Sequence, residues 1–257
     1  ALRADMNLDF VVVNAESAAH GFGLTQKICE ELFEAGADAI TTGNHAWDQR
    51  EIIPFIDADH RVLRPLNYTG GTPGRGASVI KARDGRSVLV VNVMCRLFME
   101  LLDDPFAAVD GVLKSHPIGN AVDAVLIDVH GEATSEKMAL GHVCDGRASL
   151  VVGTHTHIPT ADAQVLPGGT AYQSDAGMCG DYDSVIGMKK ETAIAKFRTK
   201  IVTERLAPAR GPASLCGTYV ETDDATGLAA RVSPVVLGGR LHPAWPAFLP
   251  PRATAAE

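Results

Sequence analysis

The sequence predicts an α/β protein whose functional groups gather at the carboxyl ends of buried parallel strands. Three observations predict it. Short apolar runs alternate with helix-patterned segments, as strands and their crossover helices do in a parallel sheet. The runs give way to glycine or polar turns. At those turns stand Gly43-Asn44-His45, then His130, then Gly153-Thr154-His155-Thr156-His157, where open α/β sheets collect their ligands.

The elements follow in order. Asp9 to Asn14 is an apolar run closed by a polar turn, a buried parallel strand. Thr25 to Ala35 sets Ile28, Leu32 and Ala35 on one helical face, and Gly36 ends the helix. Ala37 to Thr41 is a second strand leading into Gly43, and Trp47 to Ile56 reads as a helix. Leu63 to Gly76, rich in Pro and Gly, is a surface loop. Ala77 to Ala82 and Ser87 to Val93 flank Asp84-Gly85, a hairpin turn signal. Phe106 to Leu113 is helical, Val122 to Val129 is the strand that delivers His130, Thr134 to Leu140 is helical, and Leu150 to Val152 delivers the His155 pair. The tail holds β-rich segments (Ile201 to Leu206, Gly217 to Thr222, Ala230 to Leu237) and a Pro-rich end expected to fray. No repeat or linker divides the chain, so residues 1–257 are expected to form one domain. The chain opens on what reads as a helix end, without the strand that usually begins such a sheet.

Of the 257 residues, 46% are apolar and 21% charged, an ordinary globular composition. The net charge of −8 argues against stable nucleic-acid binding but not against a small phosphorylated ligand beside metal ions. Five widely spaced cysteines without a C-x-x-C read as reduced thiols. No apolar run reaches the roughly 20 residues that span a bilayer, and no signal-peptide pattern opens the chain, so a cytoplasmic location without a membrane partner is expected.

Each candidate residue carries two readings. His155 and His157, at i and i+2, leave one side of a strand, yet an isolated H-x-H is more often a pair of surface histidines. His130 follows a core strand, where a hydrogen-bonded structural histidine is as common as a ligand; Asp128 can orient its imidazole. Asn44 offers a carbonyl ligand or the N-cap of the following helix, and Gly43 lets the backbone approach a ligand. His45 has the proton affinity to protonate a leaving alkoxide. Glu16 alone is a turn residue; in this company its carboxylate can bridge two cations. Together the set can build a two-metal hydrolytic centre.

Longer motifs resemble the YmdB-like metallophosphoesterases: Asn14-Ala15-Glu16-Ser17-Ala18-Ala19-His20-Gly21, Gly43-Asn44-His45-Ala46-Trp47-Asp48, Leu63-Arg64-Pro65, Asp103-Asp104-Pro105-Phe106, Glu132-Ala133-Thr134-Ser135-Glu136-Lys137, Gly153-Thr154-His155-Thr156-His157, Thr160-Ala161-Asp162 and Leu166-Pro167-Gly168-Gly169-Thr170-Ala171-Tyr172. The match runs from about Asp9 to at least Gly187. It implies a four-layer αββα sandwich of the metallophosphoesterase type, with a small capping region placed within 60–120. It implies two metal ions (iron, manganese or zinc), hydrolysis of phosphodiesters such as 2′,3′-cyclic nucleotides, and self-association. On this resemblance Glu16 bridges the metals, Asn44, His130, His155 and His157 are ligands, and His45 is the general acid.

The chain departs from the family pattern in places. The family's N-terminal strand carries a Gly-Asp motif whose aspartate binds one metal; that segment is expected to lie outside this sequence. Ser17 stands where an asparagine usually helps to bind metal, and serine is a weaker neutral ligand. Cys95 replaces a glycine, Gly131 an alanine, and Cys179 and Asp181 alter a Gly-Met-Thr-Gly-Pro turn. Ser17 and the missing strand motivate the alternative expectation, a catalytically weakened regulatory protein that keeps the fold and binds metal or nucleotide. A metallopeptidase is disfavoured because no H-E-x-x-H is present.

Overall fold

The computed structural model describes residues 1–200 and 204–252. Two sheets stack face to face between two helical layers. The first sheet is parallel and consists of β1 (Val12–Asn14), β2 (Ala39–Thr41) and β3 (Val62–Leu63). It is preceded by α1 (Leu2–Asp5) and covered by α2 (Gln26–Ala35) and α3 (Ile52–Ala58), whose Cys29, Ile52 and Ile56 pack on Ile40 and Val62. The second sheet has the order β4 (Ala77–Lys81), β5 (Ser87–Met94), β6 (Ala124–His130), β7 (Leu150–Thr154), β9 (Ala171–Gln173), β8 (Gln164–Val165). Its middle strands β5, β6, β7 and β9 are parallel. Val109 and Leu113 of α4 (Pro105–Ser115) and Leu140 and Cys144 of α5 (Thr134–Cys144) close its outer face. The chain ends with β10 (Gly180–Asp181), α6 (Lys190–Thr199), β11 (Ala213–Thr222) and β12 (Ala229–Leu237). Val220, Ala229 and Val232 of the β11–β12 ribbon pack on Leu150, Val152 and Ala171. These layers are the αββα sandwich that the motifs implied.

The period-two alternation of the central strands decides what faces inward. Val125, Ile127 and Val129 of β6 join the helix-side core, while Leu126 packs between the sheets beside Leu63 and Val90. Asp128 and His130 share the parity of Leu126. The strand therefore turns both polar side chains toward the first sheet at its carboxyl end, where they are buried.

The structure departs from the sequence expectations at several points. The helix expected from Trp47 begins at Ile52. Pro54 has no N–H to donate, which a first turn tolerates and the interior of a helix started at Trp47 would not. The helix α6 escaped notice because it is mostly polar, with Ala193 its one buried residue. The Pro-rich end does not fray as far as Arg252. Ala244 exchanges two backbone hydrogen bonds with Val236, and Phe248 packs on Tyr219 and under the Arg231 guanidinium. The strand expected over Ile201–Leu206 falls partly outside the described residues, and Glu204–Leu206 are irregular. No helix among the described residues is long and apolar enough to cross a membrane, and all five cysteines are unpaired.

Cys95 and Gly131 meet here. The Cys95 N–H donates to the His130 carbonyl, and a Cβ built on Gly131 would lie 2.4 Å from Cys95 Cβ. The glycine is the counterpart of the cysteine: one side chain fits between the two backbones. Gly131→Ala is therefore expected to cost about 1–3 kcal/mol in urea denaturation. Cys95→Gly/Gly131→Ala should recover much of it; equal loss in single and double variants would refute the exchange.

Candidate metal centre

Glu16, in the turn after β1, is held from both sides. Its own N–H donates to Asn14 Oδ1 (3.2 Å), and its Oε1 accepts from the His45 N–H (3.0 Å). The same Oε1 lies 3.0 Å from His130 Nε2. Burial alone would raise this carboxyl; a doubly protonated His130 beside it, helped by the His45 N–H, would hold it down at about 2, and a cation would take the place of that second proton on Nε2. Asn44 Oδ1 is 3.0 Å from His130 Nε2, and His155 Nδ1 is 3.2 Å from it. One ligand atom each from Glu16, His130 and His155 lies within 4.8 Å of the others. Asn44 is not the N-cap of a helix, since α3 begins eight residues later. Gly43 keeps this space clear: a Cβ there would lie 2.3 Å from His130 Nε2 and 2.5 Å from Glu16 Oε1.

The ring protons point away from the cluster. Thr154 Oγ1 donates to Asp128 Oδ1 (2.6 Å), so it accepts from His130 Nδ1–H (3.0 Å) and leaves Nε2 with a lone pair. His155 Nε2 sits 3.3 Å from Glu132 Oε2, which spends that proton and frees Nδ1. Burial and the neighbouring His130 push His155 down to about 4, so it is neutral near pH 7. His157 lies outside the close group. Its Nδ1–H donates to the Ile186 carbonyl (2.8 Å), leaving Nε2 free. A carboxylate, an amide oxygen and imidazole lone pairs that converge with their protons directed elsewhere fit a cation.

Asp128 underlies this arrangement. It accepts from Thr41 Oγ1 (2.5 Å), Asn14 Nδ2 (2.9 Å) and Thr154 Oγ1. Burial pushes its carboxyl up and the three donors oppose that. His45 stands at the rim, its Nδ1 2.8 Å from Asp48 Oδ2 and its ring edge-on to Phe22. Ser17 accepts through its carbonyl from Gly21 N–H, and its hydroxyl has no partner among the described residues.

Sequence reasoning missed Glu132, Lys137 and Asp175. Lys137 Nζ donates to the Thr154 carbonyl (2.7 Å) and to Asp175 Oδ2 (3.0 Å), and the lysine and aspartate side chains are both buried. Its signal was present: Lys137 falls at helical spacing with Leu140, Gly141 and Cys144 on the buried stripe of α5.

The chain is similar to known proteins along most of its length. A family model described as "YmdB-like protein" matches residues 1–235. A 2′,3′-cyclic-nucleotide 2′-phosphodiesterase of Bacillus subtilis (strain 168) is 46% identical over 228 residues, 89% of this chain and 85% of its own. Among solved structures, a hypothetical protein from Thermus thermophilus superposes with a TM-score of 0.84 at 45% identity, over 92% of this chain and 90% of its own. A novel phosphatase from Mycoplasma pneumoniae gives a TM-score of 0.84 at 31% identity, over 92% and 85%.

Two outcomes are expected. Gly43→Ala should fold yet bind little metal, read by elemental analysis of the purified protein. In the metal-free protein the folded state keeps His155 neutral while the unfolded chain takes up a proton below pH 6.5. The stability this group supports is thus complete above pH 6.5 and declines as pH falls toward 4, by at most about 3 kcal/mol. His155→Asn should flatten that part of the stability–pH curve measured in denaturant.

Proposed function

The chain belongs to the YmdB-like family, and from that premise we propose that it is a metal-dependent phosphodiesterase acting on 2′,3′-cyclic nucleotides. One observation carries the reading: the lone pairs of Glu16, Asn44, His130 and His155 converge on a space that Gly43 keeps open. In this reading His157 would join the ligands through its free Nε2, and Glu16, Asn44, His130, His155 and His157 would together hold two ions of iron, manganese or zinc, with Glu16 as the shared carboxylate. Ser17 stands beside them as a weak neutral ligand. Bound metals would supply a water of lowered pKa and charge for the phosphate oxygens.

The protein's own groups do the rest. Asp128, through Thr154, fixes the tautomer of His130. Asp48 orients His45 through Nδ1, which leaves Nε2 to carry the proton that would pass to the departing ribose 2′ oxygen. The whole chain acts as one domain, with the loops within 60–120, outside β3, β4, β5 and α4, as its cap. We place it in the cytoplasm as a self-associating protein without a nucleic-acid partner.

Purified protein with manganese is expected to hydrolyse a 2′,3′-cyclic nucleotide and bis-p-nitrophenyl phosphate. His45→Ala should lower kcat about 10²–10⁴-fold with metal content unchanged. Parallel loss of metal would refute the general-acid role. Metal bound without turnover of either substrate would favour the regulatory alternative.

A further inference from the structure

We propose that Lys137 is a positioning residue for the metal-binding loop 153–157, acting through Asp175, and that this buried ion pair sets the affinity of the centre for metal. The inference rests on the metal centre proposed above.

A buried pair of opposite charges lies behind this loop. The Lys137 side chain is 0% exposed and that of Asp175 is 2% exposed. Burying such a pair is no better for stability than packing apolar residues of the same volume, so stability alone does not account for it. Its contacts suggest what does. Lys137 grips the Thr154 carbonyl, on the amino side of His155. Asp175 Oδ2, shared with Lys137, also accepts from the N–H (3.0 Å) and Oγ1 (2.8 Å) of Thr156, on the carboxyl side. Asp175 Oδ1 accepts from the Gly177 N–H at 2.9 Å. The pair thus clamps the backbone on both sides of one histidine and immediately before the next.

Those two histidines need clamping. His155 has φ +100° and His157 φ +67°, a region that residues with a Cβ adopt only when their surroundings impose it. The positive φ turns the His155 ring back toward His130, where Nδ1 meets Nε2 at 3.2 Å. Without the clamp the loop can relax to negative φ and carry that nitrogen away. The strand is also shaped for the lysine. A Cβ on Gly153 would lie 2.9 Å from Lys137 Cδ and 1.7 Å from the Ser174 carbonyl, so this glycine serves close approach, with no left-handed turn at its position. Neither Lys137 nor Asp175 belongs to the ligand group itself. Both act through the position of other atoms.

The test titrates manganese into wild-type protein, Lys137→Met, Asp175→Asn and Thr156→Val, reading affinity by chelator competition and the bound ion by its EPR spectrum. Thermal melting of each metal-free protein is measured alongside. Lys137→Met and Asp175→Asn are expected to weaken manganese binding about 10- to 100-fold, the range seen when groups behind metal ligands are removed. Thr156→Val, which keeps both charges, should weaken it several-fold, and the EPR spectrum should change in all three. Wild-type affinity and spectrum in the folded variants, with only a lower melting temperature, would overturn the proposal. If Lys137→Met fails to fold, Thr156→Val decides: wild-type affinity there overturns it. If the wild-type protein binds no manganese, the metal centre itself falls and this inference with it.

Discussion

Asp128 joins the two sheets at the point where the site forms. Its oxygens receive Asn14 from β1, Thr41 from β2 and Thr154 from β7, so donors from both layers meet on one buried carboxylate. Losing it would take a buried acceptor from two hydroxyls and one N–H of the Asn14 amide, whose nitrogen also donates to the Thr42 carbonyl, and each polar group left unpaired there costs about 1–3 kcal/mol. The consequence reaches the ligands. Thr154 can receive the His130 proton only because its own proton is given to Asp128. Asn14, held by the same carboxylate, orients the backbone of Glu16. A contact that stabilises the sandwich therefore also decides which nitrogen of His130 is available.

Glycines perform a second structural task, by leaving space. Gly43 opens the room into which Glu16 and His130 point, and Gly153 admits the lysine stem. Gly131 yields its volume to Cys95. The turn that carries Cys179 and Asp181 is held locally. Asp181 accepts from the N–H groups of Asp183 and Gly211, both at 2.8 Å, and Tyr182 donates its hydroxyl to the His157 carbonyl.

Much of the fold was legible because strands buried on both faces read as unbroken apolar runs. The β5 and β6 segments and α2, with Thr25 and Gly36 as caps, were found nearly to the residue. The short strands β8 and β10 were not. Each has two residues and exists through its pairing, which a window of local hydrophobicity cannot register. The ligand residues were readable as types at strand ends. What brings them together is long-range: the Asn14–Asp128 bond spans 114 positions of the chain. Lys137 and Asp175 show the limit most clearly. A lysine in a helix normally reads as solvated surface, and an aspartate after a short strand as a turn; only tertiary burial makes them a pair.

That separation along the chain bears on how the protein matures. The donors to the centre come from turns after β1 and β2 and from the ends of β6 and β7, and the clamp on the last of these waits for Asp175. During synthesis, which proceeds from the amino end, the first sheet and its two helices can form with Glu16 and Asn44 in place while His130, His155 and His157 do not yet exist. Ordered loading therefore belongs to a late stage, after the second sheet has docked. An ion arriving earlier would meet only an acidic side chain and an amide, a pair with little selectivity among divalent cations.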